Sequence, residues 1–166
     1  MASIKPQRSM IEHMRIASSS PLRIAVKRVY TPPSRGDGAR VLVDRLWPRG
    51  LSKDRAEIHA WLKAIAPSDA LRQWFHANSG EWPAFRKLYL KELRLPGAAG
   101  ALDELYRLAQ RRSKVTLLFA SRDEEHNNAV VLKELLEGMR KPPTGTGPGA
   151  LRAMRDRQAK RMPVPL

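Results

Sequence analysis

The chain has 166 residues, of which 42% are hydrophobic and 28% charged, and a formal net charge of +15 at pH 7. That length supports one domain with one core. The absence of cysteine excludes disulfides, thiolate metal sites and a cysteine nucleophile, and no run of about 18 apolar residues is present to span a membrane.

The charge is unevenly spread. Residues 1–21 hold three basic residues (Lys5, Arg8, Arg15) against Glu12, residues 140–166 hold seven against Asp156, and residues 22–139 hold 21 against 14 acids. The two terminal segments therefore carry about half of the excess. A positive field attracts nucleic acid and other polyanions through screened, non-specific forces, although an Arg-rich composition by itself accounts for much of it.

In chain order, residues 1–21 show no sustained periodicity and end in Ser18-Ser19-Ser20-Pro21. They read as a disordered N-terminal extension. The segment has the serines and few acids of a transit peptide, against which Glu12 and its shortness count, and Met10 or Met14 would serve equally as a start. Leu22 to Tyr30 alternates apolar and basic residues, which predicts a first strand. Pro32, Pro33, Gly36 and Gly38 make a loop. Arg40 to Leu46 predicts a second strand, and the consecutive Val41, Leu42 and Val43 suit one covered on both faces.

A helical region follows. Ile58, Trp61, Leu62 and Ile65 recur at helical spacing, so a helix is expected before Pro67. Ser68 is a good N-cap for a second helix carrying Leu71, Trp74 and Phe75. Trp82, Phe85, Leu88, Tyr89 and Leu93 mark a third, with Pro83 in its first turn. Leu102, Leu105 and Leu108 mark a fourth beyond Pro96-Gly97. Val115 to Ala120 is short and almost wholly apolar, as a central strand is. His126 to Met139 predicts the last helix, and residues 140–166 a Pro/Gly-rich basic C-terminal tail.

The expected fold is therefore α/β: a small, mainly parallel sheet of about three strands, flanked on both faces by about five helices, with disordered basic tails. The domain spans 22–139. Long helical crossovers imply parallel pairing of the second and third strands.

Ligands of open α/β sheets gather at the carboxyl ends of the strands. Two polar constellations fall there: Asp44-Arg45-Leu46-Trp47-Pro48-Arg49-Gly50, and Ser121-Arg122-Asp123-Glu124-Glu125-His126-Asn127-Asn128. Parallel neighbours would bring these loops together. Arg45, Arg49, Arg122 and Asn127 would then hold an anionic small molecule, with Trp47 stacked on its ring. Asp44, Asp123 and His126 are the candidates for proton transfer, His126 because imidazole titrates near neutrality. A structural reading stands beside this one: Asp123 is a plausible helix N-cap, and Glu124 and Glu125 suit a helix's positive end. His59 and His76 read as helix-surface residues, and Trp61, Trp74 and Trp82 as core. No spacing reads as a metal site. The Walker and dinucleotide glycine patterns are absent, and the residues assign no cofactor.

Several segments together resemble a known family. Val26-Lys27-Arg28-Val29-Tyr30, the run Gly38-x-Arg40 through Gly50, Ala66-Pro67-Ser68-x-x-Leu71-x-x-Trp74-Phe75, and Val115-Thr116-Leu117-Leu118 followed by Asp123 to Ala129 are similar to the domain-of-unknown-function 488 family, in its short bacterial branch. The resemblance covers about residues 22–137. Members are sometimes labelled uroporphyrin methyltransferases, but this chain has neither the length nor a glycine-rich methyl-donor loop. Longer members carry cysteines around the third strand. Phe119 stands at the first of these, and Asn127-Asn128-Ala129 replaces a Cys-His-Arg run, so no thiol or metal chemistry is implied for this chain. What the resemblance preserves is the place of the site.

Two functional classes follow from the sequence. One is a small cytoplasmic enzyme or ligand binder acting on an anionic metabolite or nucleotide at the strand-end cleft. The other is an accessory protein that binds nucleic acid weakly and non-specifically through its basic tails, or a protein-interaction domain.

Overall fold

The computed structural model describes residues 20–140 and Pro143. The segments expected to be disordered, 1–21 and 140–166, lie almost wholly outside the described residues. Four strands form one sheet: β1 (Ile24–Arg28), β2 (Ala39–Leu42), β3 (Ala60–Trp61) and β4 (Val115–Phe119). Their order is β1-β4-β2-β3, and every pairing is parallel. Among the described residues five helices accompany them: α1 (Lys53–Ala56), α2 (Asp69–Ala77), α3 (Trp82–Glu92), α4 (Pro96–Arg111) and α5 (Asn128–Gly138). The fold is α/β with a small parallel sheet, as the sequence implies. Among the described residues no helix is long and apolar enough to cross a membrane.

β4 lies at the centre of the sheet, and its five residues are all buried. It pairs with β1 from Ile24↔Val115 to Arg28↔Phe119 and with β2 from Ala39↔Val115 to Leu42↔Leu118. This explains its unbroken apolar run, since both faces of a central parallel strand need cover.

Alternate strand residues feed two different cores. Ile24, Val41, Val43, Val115, Leu117 and Phe119 join the apolar side chains of α2 to α5 in one large cluster. Leu42, Leu118 and Val29 form a second, smaller cluster with Trp47, Leu51, Ile58 and Trp61. The cover of the two faces is unequal: the four longer helices bury their apolar residues on one face, while Trp47, Leu51, Ile58 and Trp61, from the segments around the short α1, pack on the other.

The expected helix over 58–65 is corrected. Glu57 takes a left-handed conformation (φ 46°) and ends α1 after four residues. The chain then runs along β2: the His59 N–H donates to the Arg40 carbonyl at 2.8 Å, and the Leu62 N–H to the Leu42 carbonyl at 3.0 Å. The result is the edge strand β3 and a 3₁₀ turn over Lys63–Ile65. Ile58 and Trp61 serve the small cluster, whereas Leu62 and Ile65 serve the large one. Apolar residues at helical spacing here wrap the sheet edge and meet both cores. His59 accordingly sits in an extended connection and not on a helix surface. The second strand is also shorter than the expected 40–46, because pairing stops at Leu42 and the chain turns.

The remaining helices start where local chemistry says they should. Ser68 caps α2 by accepting the Leu71 N–H at 3.1 Å, and its own N–H and hydroxyl donate to Glu92. Pro83 lies in the first turn of α3, and Pro96 opens α4. The Tyr89 hydroxyl, fully buried, donates to the Ile65 carbonyl at 2.6 Å and ties α3 to the 3₁₀ turn.

Candidate functional site

The carboxyl ends of β2 and β4 are neighbours, and the two polar loops meet there. The Val43 N–H donates to the Leu118 carbonyl at 3.1 Å. One residue on, the Asp44 carboxylate accepts the Ala120 N–H at 2.8 Å. Asn128, at the start of α5, donates its side-chain amide to the Val43 carbonyl at 2.9 Å. Burial pushes the Asp44 carboxyl above its ordinary value, against the pull of the Ala120 N–H, the Asn128 amide and the charge of Arg72.

The second loop is held by Asp123. Its carboxylate accepts the N–H groups of Glu125 and His126, each at 2.9 Å, and meets His126 Nδ1 at 3.1 Å. The His126 N–H and then the Glu125 N–H hold the Asp123 carboxyl below its ordinary value, with the His126 ring adding to them. The His126 imidazole stands edge-on to Trp82, 5.1 Å between centroids. Asp123 therefore folds the loop and orients the imidazole. It is not the N-cap of α5: Asn127 is, accepting the Val130 N–H at 3.1 Å and donating its amide to the Asp123 carbonyl at 3.0 Å. Glu124 and Glu125 correspondingly precede the helix, whose first turn holds no acid.

The other expected site residues go separate ways. Arg45 turns to the start of α2, where its Nε donates to the Pro67 carbonyl at 3.1 Å and approaches Asp69 at 4.0 Å. Trp47 is half-buried, packs edge-on against Trp61 at 5.3 Å and donates its indole N–H to the Leu51 carbonyl. It belongs to the small cluster, across the sheet from Trp82, which packs on the large one. Arg49 and Arg122 are exposed, and among the described residues neither has an acid within ion-pair distance. Tyr30 anchors the loop of Arg49 by donating its hydroxyl to the Arg49 carbonyl at 3.0 Å.

Arg28, at the end of β1, is a residue the sequence reading missed. Its Nη2 donates to the Ala120 carbonyl at 3.3 Å, and its guanidinium lies 5.2 Å from the Tyr30 ring centre. Its Nε is buried with no hydrogen-bond partner. The register offers a signal that would have found it: Arg28 follows Ile24 and Val26 on the face that packs against the helices, so a cation stands where the alternation calls for an apolar residue. Asn128 and Arg72 also bear on Asp44 and were not singled out. Among the described residues no group of three His, Asp or Glu side chains is placed to hold a metal.

Comparison with known proteins agrees with the motif resemblance. The profile of the DUF488-N3i family, described as the inactive DUF488-N3 subclade, matches residues 23–145. The chain is 41% identical over 116 residues to the uncharacterized protein Rv3073c of Mycobacterium tuberculosis, covering 70% of this chain and 95% of that one. It is 39% identical over 120 residues to the uncharacterized protein YeaO of Escherichia coli, covering 71% of this chain and all of that one. No solved structure matches significantly.

Proposed function

This chain belongs to the inactive DUF488-N3 subclade, and on that footing we propose that it is a cytoplasmic binding protein for a small anionic metabolite or nucleotide, held at the carboxyl edge of the sheet and released unchanged. The single observation that carries this is Arg28. A guanidinium with one nitrogen buried and without a protein partner, and with no acid within ion-pair distance among the described residues, is costly unless an anion meets it. An oxyanion would offset that cost. Arg49 stands in the loop that Tyr30 ties to the same strand end, and Arg122 lies two residues beyond the Ala120 carbonyl that Arg28 holds.

Binding without turnover suits the acids and the histidine. The Asp44 carboxylate is spent on Ala120, and Asp123 on two backbone N–H groups and the His126 ring. A carboxyl held ionised in this way is a poor proton donor at neutral pH. Trp47 gives its indole N–H to Leu51 and its edge to Trp61, so Tyr30, 5.2 Å from the Arg28 guanidinium, takes its place as the ring beside a cation.

The test is thermal unfolding of the full chain with and without pyrophosphate and nucleoside monophosphates. A saturable rise in Tm that Arg28→Gln and Arg49→Gln each abolish, with the unliganded Tm little changed, supports the proposal. A rise that survives both substitutions, or no rise with any of these anions, overturns it. Phosphorus NMR of the same mixtures checks the second half: a new phosphorus species would show turnover and defeat the binding-only part.

A further inference from the structure

We propose that the opposite, amino edge of the sheet carries a second anion site, a shallow basic depression that takes a small phosphorylated or similarly polyanionic ligand. It stands independently of the carboxyl-edge reading, because the two lie at opposite ends of β2 and β4.

The strands start side by side there, with Ala39 paired to Val115. Around their starts lies an open depression of about 350 Å³, lined among others by Arg40, Glu57, His59, Arg112, Ser113 and Lys114. That volume falls at the small end of ligand pockets. Three of these six residues are permanent cations and one is an acid. Among the described residues neither Arg112 nor Lys114 has an acid within ion-pair distance.

Arg40 adds a buried charge to the exposed ones. It is 4% exposed, with Nη1 on Asp37 at 2.6 Å and Nε donating to the Ala56 carbonyl at 3.1 Å. Its Nη2 is buried and has no hydrogen-bond partner. Asp37 does not neutralise it alone, because the same carboxylate also receives Lys27 Nζ at 3.0 and 3.1 Å. Two cations therefore share one acid, and one positive charge is left over beside the depression that Arg40 helps to line.

The Ser113 hydroxyl and the exposed His59 ring add donors at the rim. Charge-assisted hydrogen bonds from Arg112 and Lys114 would supply the affinity. Glu57 on the same rim opposes anions in proportion to their charge, but the cations outnumber it, so the net attraction still grows with the charge of the ligand.

Backbone amide NMR of the full chain, titrated with sodium pyrophosphate at constant ionic strength, reads the two edges separately. Saturable shifts are expected at the amides of Gly38, His59, Ser113 and Lys114. The double variant Arg112→Gln/Lys114→Gln should weaken that binding by about tenfold or more, with shifts at Tyr30, Arg49 and Ala120 unaltered. The double variant Lys87→Gln/Arg94→Gln removes the same charge from exposed positions elsewhere and should leave the affinity as it was. No saturable shift at the amino-edge amides, or equal weakening by both double variants, overturns the proposal. Shifts confined to the carboxyl edge overturn it while supporting the binding reading above, and shifts confined to the amino edge do the reverse.

Discussion

The Asp44 carboxylate accepts the Ala120 backbone N–H at 2.8 Å, across the two central strands and 76 residues of chain. It takes over where the backbone ladder of β2 and β4 stops, and it keeps the two polar loops in contact. Asp44→Ala is expected to cost about 1–3 kcal/mol, because the Ala120 N–H loses its acceptor. Asp44→Asn should cost less, since an amide oxygen can still accept. Urea unfolding of the two variants checks the order.

The same residue sets a pH dependence. Burial raises the Asp44 carboxyl's pKa in the fold, so the folded chain keeps this proton to higher pH than the unfolded chain does. Stability should therefore fall as pH rises from the ordinary carboxylate value to the raised one, then level off. Asp44→Asn removes that part of the slope. An unchanged slope between wild type and Asp44→Asn would show that the carboxylate is not strained by burial.

Asp37 has the opposite sign. Burial works against its ionisation, but Ser34, Lys27 and Arg40 outweigh it and hold the carboxyl far below its ordinary value. Its contribution is present above the ordinary carboxylate pKa and is lost as the solution is acidified below it. Asp37→Asn leaves Arg40 and Lys27 without their shared acid and should cost about 3–5 kcal/mol at pH 7. It should also flatten the acid limb of the stability curve, measured by denaturant unfolding at a series of pH values.

Gly38 has φ +65°, and a Cβ there would overlap the Lys114 carbonyl oxygen, a backbone atom that cannot swing aside. Gly38→Ala should cost about 2 kcal/mol or more, from backbone strain and displacement of β4 together. Gly36→Ala, two residues earlier, meets nothing within 4 Å and should change stability by no more than about 0.5 kcal/mol. Equal effects of the two substitutions on Tm would refute the role of that contact.

The basic termini are expected to give weak nucleic-acid affinity that falls steeply with salt, through release of counterions by the seven basic residues after position 139. Deleting residues 140–166 should lower both the affinity and the salt slope in a fluorescence-anisotropy titration with a DNA duplex. A trimmed chain that binds as tightly as the full one would place the contacts on the domain instead.

The central strands were legible because burial on both faces leaves a run that no helix boundary or loop imitates, as in Val41-Leu42-Val43 and Val115 to Phe119. Ser68 and the two prolines at helix starts were legible because capping is local. The stretch from Ile58 to Ile65 was not. Its apolar spacing fits a helix, and only the existence of two separate cores, one on each side of the sheet edge, explains why it is extended. Likewise Asp123 and Asn127 are both good caps in sequence. Which one caps α5 depends on where the loop from Ala120 ends, and that is set by the Asp44 and Asn128 bonds to the neighbouring strand ends.

For this protein, the amino-acid sequence by itself determined the parallel α/β class, the two central strands, the capped helices and the edge at which its polar loops gather, because periodicity, capping and consecutive apolar residues act over a few positions. The tertiary structure alone decided which cations remain uncompensated. Arg45 finds Pro67 and Asp69 at the start of a neighbouring helix, whereas Arg28 and Arg40 are each left with a buried nitrogen unpaired. The number of acids within reach of a guanidinium depends on chain segments dozens of residues apart, and no local pattern encodes that count.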